Sequence, residues 1–559
     1  MLGRPALSFA ANKTFKALVE RSIDANSITI LCGAGVSIGA GLPSWRVLIN
    51  EIAKRRASKG DRLAKLVPTS ETDLLRAAGL LIRRRDAGST EPDYALISGA
   101  LYNENRLFTA NYLPQQIARF AGSKATKIAI ATTNFDDAIE LALKKLDFEV
   151  VSCSLESKID DWWDGFETPD RVVFHVLHLH GYLGRDDNSA PLLPLILTED
   201  SFRRYGANVQ AEIAKIIARS DLVLGLGLSL TDPNLIGPLT ESSDSSHVFL
   251  TNVAGRLEGV NPDDAEELAL ERGRYLSDLF GIEVVSLNSY GQLSQLMMEL
   301  ELAMSHPGAY LSESPRHCAR YGYRLSRCLK RAYPLIGWPA DSDEPHDDSL
   351  ERASEALHSL LQDLRPRLTE LVLEHNDRDL RALGRTLNSR GQDLESHLAG
   401  EGLALFLWLP TLFRPHDKVQ RHYRLQLVGS SAYSHREYWS FRREPVEVNA
   451  YALSTQAKAA FSGQPLVEAT EREFEPRLWK TNVAIPLTVI TPDGESSVAC
   501  GSIVLTSDRG LLPDTASVQD RASPSRAAVS YLSTSFTAEY CRIIAEQAAG
   551  FLGEGPARP

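Results

Sequence analysis

Cysteine is scarce and scattered. The six residues, Cys32, Cys153, Cys318, Cys328, Cys500 and Cys541, form no C-x-x-C pair. That excludes a zinc ribbon and a disulfide framework, and it fits a reducing, cytoplasmic setting. Basic surplus is also missing. The chain has 60 lysines and arginines against 72 acidic residues, a formal charge of −12. This argues against a nucleic-acid scaffold, although a local basic groove is not ruled out. No uninterrupted apolar run is long enough to span a bilayer. The opening "MLGRPALSFAANKTFKALVE" lacks the apolar core of a signal peptide. A soluble protein with no membrane partner is expected.

What is present is an ordinary globular composition, 43% hydrophobic over 559 residues, enough for about two to four domains. Residues 1–305 alternate short apolar runs with helical patterns. The runs are "ITILC" (28–32), "KIAIATT" (127–133), "VFHVLHLHG" (173–181), "LVLGLG" (222–227), "HVFLTN" (247–252) and "EVVSL" (283–287). "DDAIELALKKL" and "NVQAEIAKIIARS" lie between them as helices. Strands separated by helices need crossover connections, so the predicted class is α/β, a doubly wound, Rossmann-like parallel sheet.

Residues 306–400 read as a connector and helical linker. Its first part is proline-bearing and ends in an acidic run. Its second is a helical stripe of Leu350, Ala353, Leu357, Leu360, Leu364, Leu368 and Leu371, with Pro366 expected to kink it. A packing helix and a signalling or dimerising helix are both open. Residues 401–559 return to strand-like runs, "LALFLWLP", "HYRLQLVGSS", "NVAIPLTVI" and "SVACGSIVLTS", before an amphipathic closing helix. They predict an antiparallel sheet with flanking helices, an α+β domain.

Four segments could carry chemistry. "ILCGAGVSIGAGLP" holds Gly33, Gly35, Gly39 and Gly41 after a strand. It is not G-x-G-x-x-G, because Ile38 stands at the third glycine, and no Gly-Lys-Ser/Thr follows to make a Walker loop. Bare amides at Gly33 to Gly35 could meet a pyrophosphate at a helix start, or the stretch could be a tight turn without ligand. In "ATTNFDDAIE", Asn134 could orient a ribose or a water and Asp136 could bond a carboxamide. The same residues are also good helix caps. In "HVLHLHGYLG", His178 and His180 are two apart and share one side of a strand. A buried structural histidine, a metal pair lacking a third ligand at recognisable spacing, and a general base at His180 are the three readings. "LGLGLSLTDPNL" ends a strand in Gly225, Gly227 and Ser229, small enough for a ribose or adenine to approach the backbone.

Taken in order, "GAGVSIGAGLPSW", "TTNFD", "HLHG" and "GLGLSLTDPN", with "LILTEDSFRRY", resemble the sirtuin family, especially its bacterial sirtuin-like branch. The resemblance covers about residues 1–300. It implies NAD binding, with Gly33, Ala34, Gly35 and Ser37 lining the phosphate region. It also implies Asn134 and Asp136 beside the nicotinamide and its ribose, His180 as general base, and Gly227 and Ser229 facing the adenosine half. The chain departs from the deacylase pattern. It lacks the two Cys-x-x-Cys pairs of the zinc module, so no metal is expected. Trp45 and Arg46 fall one residue late for the P-x-F-R motif, and Thr133 replaces a glutamine. In this it is similar to zinc-free NAD-consuming effectors of bacterial anti-phage systems. "AFSGQPLVEAT", "TNVAIPLTV" and "CGSIVLTS" resemble a GAF domain. That resemblance implies a small-molecule or protein activator and homo-oligomeric assembly. Arg436, Tyr438, Trp439 and Arg442 could line its pocket or simply form a strand-loop surface.

The expected activity is hydrolysis of NAD to nicotinamide and ADP-ribose, with Asn134 and His180 as the catalytic pair. A zinc-free deacylase or ADP-ribosyltransferase, and a non-catalytic nucleotide sensor, are the alternatives.

Overall fold

Buried parallel strands must be apolar on both faces, because crossover helices cover each side. The runs named above meet that condition, and the computed structural model builds a sheet from them. It describes residues 9, 12–62 without 39, 74–82, 93–102, 112–122, 127–157, 167–168, 171–185, 191–228, 235–239 without 236, 247–253, 260–287 and 290–305 without 291. Further along it describes 347–374, 393, 396, 401–410, 424–431, 446–448, 452, 454–462, 466–469, 481–490 and 497–507. The chain divides into two compact units, Phe9–Glu313 and, for the C-terminal part, Ser314–Pro559.

In the first unit the strands are β1 (Ser27–Cys32), β2 (Lys127–Thr132), β3 (Glu149–Ser154), β4 (Glu167–Thr168), β5 (Arg171–His178), β6 (Leu222–Leu226), β7 (Val248–Val253) and β8 (Glu283–Leu287). Seven of them form a parallel sheet in the order β3-β5-β2-β1-β6-β7-β8, and β4 pairs antiparallel with β5. The predicted Rossmann-like plan is therefore present. The short apolar runs do not single out β3 because it is an edge strand. Its outer half is partly exposed and it carries Glu149, Ser152 and Ser154.

The helices are α1 (Lys13–Asp24), α2 (Ala34–Ile38), α3 (Trp45–Ser58), α4 (Leu74–Leu81), α5 (Tyr94–Leu101), α6 (Tyr112–Gly122), α7 (Ala138–Lys144), α8 (Glu199–Arg219), α9 (Pro262–Phe280) and α10 (Gln292–Ser305). α8 begins at "TEDS", where Thr198 and Ser201 form a capping box and Glu199 and Asp200 face the positive helix end. Its Val209, Ile213, Ile216 and Ile217 pack into one core cluster with Leu31, Ala129, Leu177 and Val223 of the sheet. A second cluster gathers apolar side chains of α3, α4 and α5 around Phe135, Leu183 and Leu195.

From β1 the chain goes to β2, β3 and β5 on one side, then crosses to β6, β7 and β8 on the other. The carboxyl ends of β1 and β6 thus flank the topological switch point, where ligands sit in open α/β sheets. There the two main chains touch. The Gly33 amide donates to the Leu226 carbonyl and the Gly35 amide to the Gly227 carbonyl, both at 2.9 Å. A Cβ on Gly35 would stand 2.7 Å from the Gly227 Cα, and Gly227 itself has a φ of +60°.

In the second unit six antiparallel strands run in the order β11-β10-β9-β14-β13-β12. They are β9 (Leu403–Pro410), β10 (Arg424–Ser430), β11 (Val446–Glu447), β12 (Leu466–Ala469), β13 (Thr481–Ile490) and β14 (Ser497–Ser507). The leucine stripe becomes α11 (Asp347–Glu374), which lies against β9 and β10 with Leu357, Leu360, Leu364 and Leu368 buried. It packs on the sheet of its own unit. Pro366 sits within it on the exposed side. A short α12 (Thr455–Ser462) lies on β13. The closing helix and the candidate pocket residues Arg436, Tyr438, Trp439 and Arg442 lie outside the described residues. Among the described residues, no helix is long and apolar enough to cross a membrane.

The glycine contact makes a test. Gly60 also has a positive φ, +87°, but a Cβ there meets nothing within 4 Å. Gly60→Ala should therefore cost only left-handed strain, about 1–2 kcal/mol. Gly227→Ala adds overpacking of about 1–3 kcal/mol to that strain. Urea denaturation of the two variants should show Gly227→Ala as clearly the weaker. Equal losses would mean the backbone contact is not tight.

Candidate functional site

Asn134 lies just past the end of β2, where the sheet no longer supplies partners for its backbone. Its amide donates to the Thr132 hydroxyl at 3.0 Å. Its side-chain Nδ2 donates to the Gly33 carbonyl at 2.9 Å and to Ser37 Oγ at 2.8 Å. A carbonyl can only accept, so the carboxamide has one orientation, with Nδ2 given to Gly33 and Ser37. Ser37 Oγ donates in turn to Asp136 Oδ1 at 2.9 Å, and the same oxygen accepts the Ala138 amide that opens α7. Capping and site-building are thus one interaction at Asp136.

Gly33, Ser37, Asn134 and Asp136 are joined in one network, with Gly35 and Gly227 beneath it through the main-chain contact. Ala34 starts α2. Ser229 lies outside the described residues. One expectation needs correction. The amides of Gly33 and Gly35 are not bare donors for a pyrophosphate, because Leu226 and Gly227 already take them. Glycine is required here for close approach of two strands.

The "HLH" segment clasps the carbonyls of Thr132, Thr133 and Asn134. The Leu179 amide takes the Thr132 oxygen at 2.8 Å. The His180 ring donates to the Thr133 carbonyl, and His178 Nδ1 donates to the Asn134 carbonyl at 2.9 Å. The two histidines then diverge. His180 Nε2 is buried without a hydrogen-bond partner. Its ring sits between Phe135 at 6.3 Å and Phe202 at 5.3 Å, and burial lowers its pKa to about 4. The result is a neutral imidazole with its lone pair at Nε2. His178 Nε2 contacts Glu140 Oε1 at 2.6 Å. Burial pulls the His178 pKa down, but the Glu140 charge and hydrogen bond, with the Asn134 carbonyl and the Asp136 charge, together outweigh it, and the net shift is upward. Both His178 nitrogens are engaged, so the metal-pair alternative fails there. Among the described residues, no group of three His, Cys, Asp or Glu side chains could hold a metal ion.

Several participants are not evident from the motifs. Trp45, out of register with the sirtuin pattern, packs on Phe135 at 6.4 Å and extends the aromatic row to His180. Tyr102 donates to the Leu183 carbonyl at 2.6 Å and accepts the Asp137 amide. Arg185 lies over the Tyr102 ring and bonds Asp137 at 3.2 Å. A carboxylate on the inward side of "DDAIELALKKL", at Glu140, was the one sequence signal available; Tyr102 and Arg185 gave none.

Asp136, Asp137 and Glu140 are all buried, and they give this end of the sheet a negative character. Burial raises Asp136 to about 6, against hydrogen bonds from Ser37 and Ala138 that lower it. Burial likewise raises Asp137, with Arg185 opposing. A raised carboxyl pKa means the folded state holds its proton more tightly, so this contribution to stability falls as pH climbs from 3.8 to about 6. Asp136→Asn keeps the acceptor oxygen and removes the charge. Relative to the parent chain it should gain stability between pH 4 and pH 7, by up to ~3 kcal/mol. Urea melts at the two pH values measure this, and an unchanged difference would refute the assignment.

The chain is 23% identical over 328 residues to "NAD(+) hydrolase ThsA" of Acinetobacter baumannii (strain 532279), covering 54% of this chain and 59% of the relative. It is 22% identical over 322 residues to "NAD(+) hydrolase ThsA" of Bacillus cereus (strain MSX-D12), covering 54% and 61%. The match thus spans about three-fifths of each relative's length. A crystal structure of a Sir2 homolog–NAD complex covers 53% of this chain and 94% of its own, at 16% identity and a TM-score of 0.25. Residues 128–257, which run from β2 through the "HLH" clasp and β6 to just beyond β7, match the family described as the SIR2-like domain.

Proposed function

We propose that the Phe9–Glu313 unit hydrolyses NAD to nicotinamide and ADP-ribose. The observation that carries this reading is His180. It is a buried, neutral imidazole two residues past the carboxyl end of β5, whose ring donates to the Thr133 carbonyl, packs against Phe135 and leaves Nε2 without a hydrogen-bond partner. The names of the two relatives and the SIR2-like match support it.

The chemistry follows from charge. In NAD the nicotinamide ring is cationic. When its bond to the ribose C1′ breaks, the ring leaves with the electron pair as a neutral molecule and an oxocarbenium-like sugar remains. The buried carboxylates at the end of β2 and the start of α7 create a field that favours that cation. Asn134 Oδ1 can accept a hydrogen bond from a ribose hydroxyl or from the attacking water. Water adds to C1′, and its proton passes to His180 Nε2. Gly227 and, beyond it, Ser229 would border the adenosine half, while Ala34 and the start of α2 would lie toward the phosphates.

The same reading includes a cytoplasmic effector of anti-phage defence, assembled as a homo-oligomer. A small molecule or protein binding the C-terminal unit, read as GAF-like, would activate it, and neither nucleic acid nor membrane is a partner. It keeps the division of the chain into a catalytic part to residue 305, a connector to 400 and a sensor part beyond.

His180→Ala should lower nicotinamide release from NAD by about 10²–10⁴-fold. Chromatographic assay of nicotinamide and ADP-ribose, with NAD alone and with an acylated peptide added, separates hydrolysis from deacylation. Full activity in the variant, or a strict need for peptide, would overturn the reading. His180 is neutral above about pH 4 and Asp136 gains its charge only above about 6, so the first loss of kcat/KM on acidification should fall near 6 through Asp136, and the His180 limb should lie lower still, well below the ordinary histidine value of about 6.5.

A further inference from the structure

The chemistry just described draws on Glu140 only for its charge and not on its contact with His178, and stability does not account for that contact. Both side chains are essentially sealed, at 2% and 0% exposure. Taking two such groups out of water costs several kcal/mol, and a well-packed apolar pair in their place is often as stable or more so. The pair does not even satisfy itself completely, because Glu140 Oε2 has no hydrogen-bond partner. What it does achieve is a connection. Glu140 Oε1 receives Ser152 Oγ from β3 at 2.9 Å and the His178 ring from the end of β5 at 2.6 Å. The opposite nitrogen of that ring holds the Asn134 carbonyl. Tyr182 packs against the ring at 4.7 Å.

The consequence falls on one peptide. The carbonyl of Asn134 and the amide of Phe135 belong to the same rigid plane. That plane lies beyond the last residue of β2, where no ladder hydrogen bond fixes it. The His178 donor fixes the carbonyl end, and the Thr132 hydroxyl fixes the amide of Asn134 itself. With both ends set, the Asn134 carboxamide reaches Gly33 and Ser37 in a single orientation.

We propose that His178 and Glu140 are a positioning pair. Glu140 holds the imidazole so that Nδ1 must clasp the Asn134 carbonyl, which in turn aims Asn134 Oδ1 at the reacting sugar or water. The catalytic half of this proposal rests on the NAD-hydrolysis reading; the clasp itself does not.

Two double variants separate the roles of the ring nitrogens. His178→Asn with Glu140→Gln retains a donor where Nδ1 stood and leaves no buried charge unpaired. His178→Gln with Glu140→Gln places its donor toward residue 140 and lacks the one aimed at Asn134. Hydrogen exchange in the full chain, without any ligand, reads the amides of Asn134 and Phe135. They should exchange about tenfold faster in the Gln/Gln variant than in the Asn/Gln variant, while α8 stays equally protected in both. In steady-state kinetics, kcat for nicotinamide release should be about 10–100-fold lower in the Gln/Gln variant than in the Asn/Gln variant, with KM for NAD nearly the same.

Equal exchange in the two variants would overturn the clasp, whatever the kinetics. Distinct exchange with equal kcat would overturn the catalytic role. If the unmodified chain released no nicotinamide while the exchange still differed, the clasp would stand and the NAD reading would fall.

Discussion

The contact on which the first unit's site depends is one of backbone against backbone. At the carboxyl ends of β1 and β6 two chain segments approach so closely that no side chain fits between Gly35 and Gly227. Everything above it takes its place from that approach. α2 begins where the Gly33 and Gly35 amides meet Leu226 and Gly227, and this sets Ser37 over the end of the sheet. The Gly33 carbonyl, left pointing toward β2, then receives Asn134 Nδ2. Main-chain atoms have no rotamers to relax, so the network inherits the rigidity of the sheet.

On that frame the protein places an unusual amount of buried charge. Asp136, Asp137 and Glu140 lie within five residues of one another, and burial raises the first two. Arg185 and His178 answer Asp137 and Glu140, while Asp136 has only dipoles, the Ser37 hydroxyl and the Ala138 amide. A fold selected for stability alone would have little use for this arrangement. For the proposed reaction the arrangement would favour a cation, because fixed charges in a dry pocket act without reorganising.

The sequence made the parallel sheet legible because doubly covered strands need unbroken apolar runs, and β1, β2, β5, β6, β7 and β8 have them. β3 stayed hidden because its edge position tolerates Glu149 and alternating exposure. The cluster of Gly33, Ser37, Asn134, Asp136 and His180 was legible as ordered motifs, since each sits at or just past a strand end. The use of the glycines was not. Spacing shows that bare backbone is needed, but only the fold shows that the Gly33 and Gly35 amides meet the Leu226 and Gly227 carbonyls. Tyr102 and Arg185 reach the site from far along the chain in one case and from an unremarkable loop in the other. Trp45 reads as a register error until its ring is found against Phe135.

The two histidines of "HLHG" show why residue type and spacing reach only so far. Both are buried, and in both burial disfavours the charged ring. Each also donates one nitrogen to a carbonyl of the segment after β2. The difference lies at the second nitrogen. Glu140 meets His178 there and reverses the effect of burial, whereas Phe135 and Phe202 flank His180 and offer no charge. One imidazole is thereby biased toward holding its proton and the other toward lacking one, two residues apart. Under the proposed hydrolysis, divergent environments of this kind would separate a group that holds geometry from a group that accepts a proton. The leucine between them is part of the device, because its amide takes the Thr132 carbonyl and keeps both rings in register with the carbonyls of Thr133 and Asn134.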